Sequence, residues 1–381
     1  MTRVVPRSSR IRSMPWIALA LPALLLSMTT APVAARETPA TSRDKAAAHP
    51  VPPTPGIYRL ADLHRVEAAR LDRTQCFLLQ AISPLDLHGP HLPASTSLEL
   101  SEAFTDAVAE RLREAKPEWS VVILPALPIG AGSTGEMGGM YLHSSTVPVD
   151  LFLLRRFLGN WFLGPAENAH TNLSVISFHL DPQHLKAISD ACDFYVQNYG
   201  MGAINVMSYL MADSTTLAGA RALGTKALGD VPEASLTFEM LSGGVAETSM
   251  MLALHPDEVE KEYTELEPRI ANSWDDAVTI VKTLGWPGYL GNPARSSAAY
   301  GKSLWDFLAD RAAGLVLERV GGSLLTGRPR FEDVIRDNFA LREAVRADQR
   351  FYERHIRRYD TWLERLATAD KAAQGNKSIE K

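Results

Sequence analysis

A three-layer α/β/α fold extended by C-terminal helices is predicted by three features of the sequence. Short apolar runs alternate with stretches of helical period, several of those runs are apolar on both faces, and a charged segment with a sparse apolar stripe closes the chain. Strands that read as continuous apolar runs belong in parallel sheets covered on both sides, and alternation with helices builds such sheets.

The 381 residues are 46% hydrophobic and 22% charged, enough apolar material for one large domain or two ordinary ones and too much for a disordered chain. Two cysteines exclude a disulfide scaffold and a cysteine-rich zinc module. With 39 basic against 44 acidic residues the formal charge is −5. Nucleic acid, which asks for a basic excess or a basic face, is therefore not expected as a partner.

Residues 1–14 hold Arg3, Arg7, Arg10 and Arg12 and no acid, residues 15–28 are apolar, and small residues lead to Val33-Ala34-Ala35. This order predicts a secretory signal peptide over residues 1–35, whose apolar part is short for a stable span. An uncleaved anchor is the alternative. Cleavage removes four positive charges and takes the formal charge from −5 to −9. A secreted or periplasmic product without stable membrane insertion is expected. An oxidising compartment permits a Cys76–Cys192 bond, with two buried free thiols as the alternative.

Residues 36–56, rich in proline, alanine and charge, read as a tether. Residues 60–71 approach helical period. CFLLQAIS (76–83) is a buried strand leading into the loop DLHGPHLP (86–93), and 98–115 is a helix. A second strand at 120–129 precedes a glycine-rich loop at 130–139, then helical spacing at 149–162. The third strand is 173–180, followed by a helix at 182–197, and 203–209 is a candidate fourth strand. Residues 211–233 read as a loop. Gly243-Gly244 can open a turn before a helix that carries Glu247. GWPGYLGNP (285–293) is a turn-rich loop. Trp286, Tyr289, Tyr300 and Trp305 in and after it pack the core or wall a pocket, and 296–320 resumes helical spacing. The α/β domain spans 57–325 and a helical extension 326–371. A stripe of Val345, Tyr352, Ile356, Tyr359 and Leu363 in the extension suits packing or subunit contact. Residues 372–381 are expected to fray.

In such folds ligands gather at the carboxyl ends of the strands. His88 and His91 follow the first buried strand and His179 ends the third, so the two segments are expected to meet. Asp86 and His88, two apart at an extended strand end, send their side chains the same way. A carboxylate beside an imidazole suits zinc or manganese. Taken alone, the same histidines serve equally well to cap local backbone groups.

From about residue 60 to residue 317 the chain resembles the creatininase (creatinine amidohydrolase) family of metal-dependent amide hydrolases. ISPLDLHGPHLPASTSLE places Asp86 at the family's ligand glutamate, His88 at its ligand histidine and His91 at the second loop histidine. Ser97 stands where an aspartate bridges two metals. His179 matches the ligand histidine after the third strand, while the motif around it has become Phe178, Leu180, Asp181 and Pro182. In SGGVAETS (242–249) Glu247 is kept and Ser242 replaces the catalytic histidine; a helix cap is the expected use of Ser242. Ser133 and Glu136 fit a further family loop with one extra residue between them. Met137 stands at that loop's histidine, for which His143 is a substitute.

The family's bridging aspartate implies two metals, but the departure at Ser97 favours one, zinc before manganese, held by a set from Asp86, His88, His179 and Glu247. A neutral serine replaces a bridging carboxylate poorly, and Asp for Glu shortens one arm by about 1–1.5 Å. Glu247, His91, Glu136 and His143 are the candidates for proton transfer. The expected function is that of an exported metal-dependent amidohydrolase acting on a small cyclic or terminal amide. Creatinine is not expected as substrate, because the surrounding motifs are rewritten. The alternative is a non-catalytic binding or scaffold protein on a degenerate creatininase fold. Self-association into a homo-oligomer is implied by the family's habit.

Overall fold

The computed structural model describes residues 54–132, 149–229, 237–283, 285–323, 325 and 327–379. The expected leader, most of the tether, and Ser133, Glu136, Met137 and His143 lie outside the described residues. In chain order the main elements are β1 (Ile57–Arg59), β2 (Cys76–Ala81), α1 (Thr96–Ala115), β3 (Ser120–Ile123), α2 (Leu151–Trp161), β4 (Asn172–Ile176), α3 (Pro182–Tyr199) and β5 (Gly202–Asn205). They continue as α4 (Ser214–Leu228), α5 (Val245–Leu254), α6 (Trp274–Val281), α7 (Ala298–Val320) and α8 (Phe339–Ile379).

The five strands are parallel in the order β1-β3-β2-β4-β5, with Leu78 paired to Val122 on one side and Leu173 on the other. Every residue of β2 and β3 is buried, as the apolar runs require of strands between two helical layers. α2 packs on α3, while α1 packs on α7, which also meets α4 and α5. Phe104, Phe178 and Trp305 form an aromatic cluster in the core, with ring centroids 5.0 to 5.7 Å apart. The predicted α/β/α sandwich with added C-terminal helices is the fold of the chain. From β2 the chain crosses to β3 on one side, and later strands build outward on the other. The order therefore reverses between β2 and β4, and a ligand crevice belongs at their carboxyl ends.

Side-chain caps set several helix starts. Asp150 accepts from the Phe152 and Leu153 amides ahead of α2, and Asp181 accepts from the Gln183 and His184 amides ahead of α3. Pro182 at the first position of α3 and Gly200 at its end, with φ of +65°, mark both limits.

Several sequence expectations need correction. The strand expected at 203–209 ends at Asn205, and Val206–Leu210 is a helical turn. The strand expected to run to residue 180 stops at Ile176. The loop expected at 211–233 contains α4, capped by Asp213. Its threonine, glycine and alanine content hides a helix whose small face lets α7 approach: a Cβ on Gly219 would lie 2.3 Å from the Phe307 ring. Residues 60–71 break into two short turns, and Leu60 and Val66 are exposed. α8 runs to Ile379, past the start of the tail expected at 372. Its Leu341 and Val345 are buried, and α8 meets α6, whereas Tyr359 and Leu363 of the predicted stripe are exposed. Cys76 and Cys192 are both free and buried, and burial pushes the Cys76 thiol up to about 12. No described helix is long and apolar enough to cross a membrane.

Candidate active site

The loop after β2 is pinned at its base, where the Ile82 amide donates to Ile176 O and the Asp86 amide to Ala94 O, both at 3.0 Å. Within it Gly89 takes φ of +85°, a turn that L side chains resist. Asp86 and His88 point the same way, as their spacing predicts: His88 Nε2 lies 2.6 Å from Asp86 Oδ1. From the end of β4, His179 Nδ1 comes within 2.8 Å of Asp86 Oδ2. The two histidine-bearing segments meet at the strand ends on either side of the reversal.

Each imidazole is held from behind. His88 Nδ1 is 2.9 Å from Glu247 Oε2, and the same oxygen accepts the Gly243 amide at 2.5 Å. His179 Nε2 donates to Ala131 O at 3.1 Å. Burial disfavours charge on both rings, but Asp86 and Glu247 outweigh it for His88, and Asp86 outweighs it for His179, so both are raised. Asp86 is depressed in turn; burial opposes its charge, and His88 and His179 overcome that. Ser97, at the start of α1, brings its hydroxyl 3.0 Å from His88 Nε2. Glu247 thus sits across the His88 ring from Asp86 rather than beside it.

His91 turns elsewhere. Its Nε2–H donates to Thr248 Oγ1 at 2.8 Å, and the Thr248 hydroxyl donates to Gly243 O at 3.1 Å. This leaves His91 Nδ1 buried and, among the described residues, without a partner, with Tyr289 set edge-on to the ring. Burial lowers the pKa of His91 to about 4, so it is neutral at pH 7. Behind His179, the neutral His184 accepts the Ala131 amide at 3.2 Å and faces Ser177 Oγ at 2.9 Å.

Other residues fall outside the site. Ser242 is not a helix cap: Gly244 precedes α5, and the Ser242 hydroxyl donates to Leu87 O or Gly288 O. The cap's work goes to Glu239, absent from the sequence reading, whose buried carboxylate accepts the Val245 and Asn292 amides at 2.9 Å each. Its only sequence signal is an acid shortly before the glycine pair. Phe178 and Leu180 are core residues and Asp181 caps α3, so the rewritten motif around His179 reshapes the core more than the crevice. Of the aromatic residues in and after the turn-rich loop, Tyr289, Tyr300 and Trp305 are buried.

A second donor group lies near the start of α1. Glu99, His255 and Glu258 each offer one ligand atom, all within 4.8 Å of one another, a candidate three-residue metal site among the described residues.

Comparison with known proteins agrees with the sequence resemblance. The model of the family described as "Creatininase: Creatinine amidohydrolase" matches residues 61–316. Creatinine amidohydrolase from Pseudomonas putida is 24% identical over 192 residues, 50% of this chain and 69% of that protein. A creatininase variant solved in complex with creatine superposes with a TM-score of 0.52 at 20% identity, covering 69% of this chain and 98% of that one. A solved structure of creatininase Mn gives a TM-score of 0.52 at 20% identity over 68% and 97% of the two chains. A putative creatinine amidohydrolase from Bacteroides fragilis gives 0.50 at 18% identity over 70% and 98%.

Proposed function

Since the chain belongs to the creatininase family, we propose that it is an exported amidohydrolase that uses one divalent ion at Asp86, His88 and His179 to cleave a small cyclic or terminal amide other than creatinine. The observation that carries this reading is the anchoring of both imidazoles by their outer nitrogens, His88 on Glu247 and His179 on Ala131 O. Their inner nitrogens are thereby turned to one carboxylate, at 2.6 and 2.8 Å. Holding the far N–H of a ligand histidine on an acceptor fixes its tautomer and raises its basicity.

Two imidazoles and a carboxylate fit zinc first and manganese second. Asp86, His88 and His179 would be the residues to hold such an ion, since their ligand atoms already face one another. Ser97 supplies a neutral oxygen near His88 and no anionic bridge, which favours one ion over two. Held by Asp86, His88 and His179, a divalent ion would supply Lewis-acid chemistry for water activation and carbonyl polarisation. Glu247 orients His88. His91 holds Thr248 through Nε2 and, among the described residues, keeps Nδ1 without a partner, so it stands with Glu136 and His143 among the proton-transfer candidates. The arginine-rich, apolar start of the chain supports export, and the family's habit of assembly supports a homo-oligomer.

The test is a metal count on the purified chain together with hydrolysis of a panel of lactams, hydantoins and terminal amides, creatinine included. His88→Ala and His179→Ala are each expected to lose one zinc equivalent and amide hydrolysis, with the fold retained. Metal uptake unchanged in both variants overturns the reading. The neutral Ser97 at the metal-facing nitrogen favours a second reading, a non-catalytic binding protein; tight capture of an amide ligand without turnover on the whole panel would select it.

A further inference from the structure

The start of α1 and the end of α5 bring a second donor set together, and the geometry points to a divalent-cation site built by Glu99, His255 and Glu258 that clips these two helices to each other. This inference does not depend on the hydrolase reading.

Glu99 lies in the first turn of α1, two residues beyond Ser97. His255 caps the end of α5, and the 3-10 turn Pro256–Glu258 follows it, closed by the Glu258 amide donating to His255 O at 3.0 Å. A turn of about three residues sets positions 255 and 258 on one side. His255 Nδ1 lies 4.0 Å from Glu258 Oε1, and Glu99 completes the group across the helix junction, within 4.8 Å of both. One imidazole and two carboxylates are a zinc ligand set that leaves room for water.

A separate observation concerns Glu99. Its Oε2 is shut off from solvent, and among the described residues no N–H or hydroxyl donor reaches it. A carboxylate oxygen buried without a partner is costly, and a bound cation removes that cost. Glu99 also stands against Glu258, and two adjoining carboxylates need a proton or a cation between them.

The site would brace the active centre from outside. α1 carries Ser97, and α5 carries Glu247 and Thr248 in its first turns. The segment leaving the cluster grips the Asp86–His88 loop through the Glu260 amide, which donates to His91 O at 3.0 Å. An ion here therefore ties together three segments that position His88.

Zinc binding by the full chain tests the proposal, read by metal count and by the unfolding midpoint. The double variant His88→Ala/His179→Ala removes the proposed active-site ion. It is expected to keep one zinc equivalent and to show a midpoint that rises with zinc. Adding Glu99→Gln should weaken that binding at least 10-fold, and His255→Asn gives a milder second route should Glu99→Gln misfold. A folded double variant that takes up no zinc at micromolar concentration overturns the site, as does zinc binding unmoved by both Glu99→Gln and His255→Asn. Retention of this ion without amide hydrolysis in the unmodified chain would sink the hydrolase reading alone.

Discussion

Glu247 Oε2 lies 2.9 Å from His88 Nδ1, on the far side of the ring from Asp86, and also receives the Gly243 amide. One carboxylate oxygen therefore fixes the histidine and the turn that starts α5. Glu247→Gln keeps the shape and removes the charge. It is expected to weaken metal binding about 10–100-fold, the usual effect of losing a partner behind a ligand. Competition against a chelator measures this, with circular dichroism to show an intact fold. Unchanged affinity would remove Glu247 from the positioning role.

Ser97 is buried and points at the nitrogen of His88 that faces Asp86. Ser97→Asp supplies the anionic oxygen that two neighbouring ions need between them. The variant should take up one more metal equivalent than the natural chain. Without metal it should be less stable by about 1–3 kcal/mol, since the new carboxylate is buried with too few partners. Both quantities come from metal titration followed by denaturant unfolding.

His91 titrates near 4 when folded, against 6.5 in the unfolded chain. Between these values the unfolded state binds more protons, so the contribution of neutral His91 is complete above pH 6.5 and is lost as pH falls toward 4. The slope approaches about 1.4 kcal/mol per pH unit within that window. His184, also depressed by burial, contributes with the same sign. His88 and His179, raised by carboxylates, contribute in the opposite sense: below pH 6.5 their stabilisation is complete, and it fades as pH rises through their folded values. Urea unfolding of metal-free protein from pH 4 to 7 should show a shallower slope in His91→Gln, and an identical slope would refute the assignment.

α5 and α7 touch through a glycine. A Cβ on Gly301 would sit 1.8 Å from Ser249 O, closer than any packing allows. Gly301→Ala must push the helices apart and should cost about 1–3 kcal/mol, the range for overpacked interiors. Because α5 carries Glu247, metal affinity should fall along with the thermal midpoint. Gly314→Ala, on the same helix with open space at its Cβ, is the control expected to leave both intact.

Much of this was written locally. Apolar runs of strand length, helical spacing between them and glycine-proline punctuation depend on neighbours a few residues away, so four of the five described strands and several helices could be read directly, while the three-residue edge strand β1 and the short α6 could not. The pairing of Asp86 with His88 follows from a two-residue strand repeat, and the approach of His179 from the rule that ligands gather at strand ends. Folding in three dimensions decided the rest. Which nitrogen of His88 meets Glu247 depends on how α5 lies across the loop from 159 residues away. Whether His91 faces a ligand or Thr248 is a rotamer choice made by packing. α4 carries little amphipathic signal because its small residues fit the Phe307 ring of a distant helix. Glu99, His255 and Glu258 become neighbours only when α1 and α5 are docked. Backbone preference is set by adjacent residues, whereas side-chain partners are set by which surfaces the fold presses together.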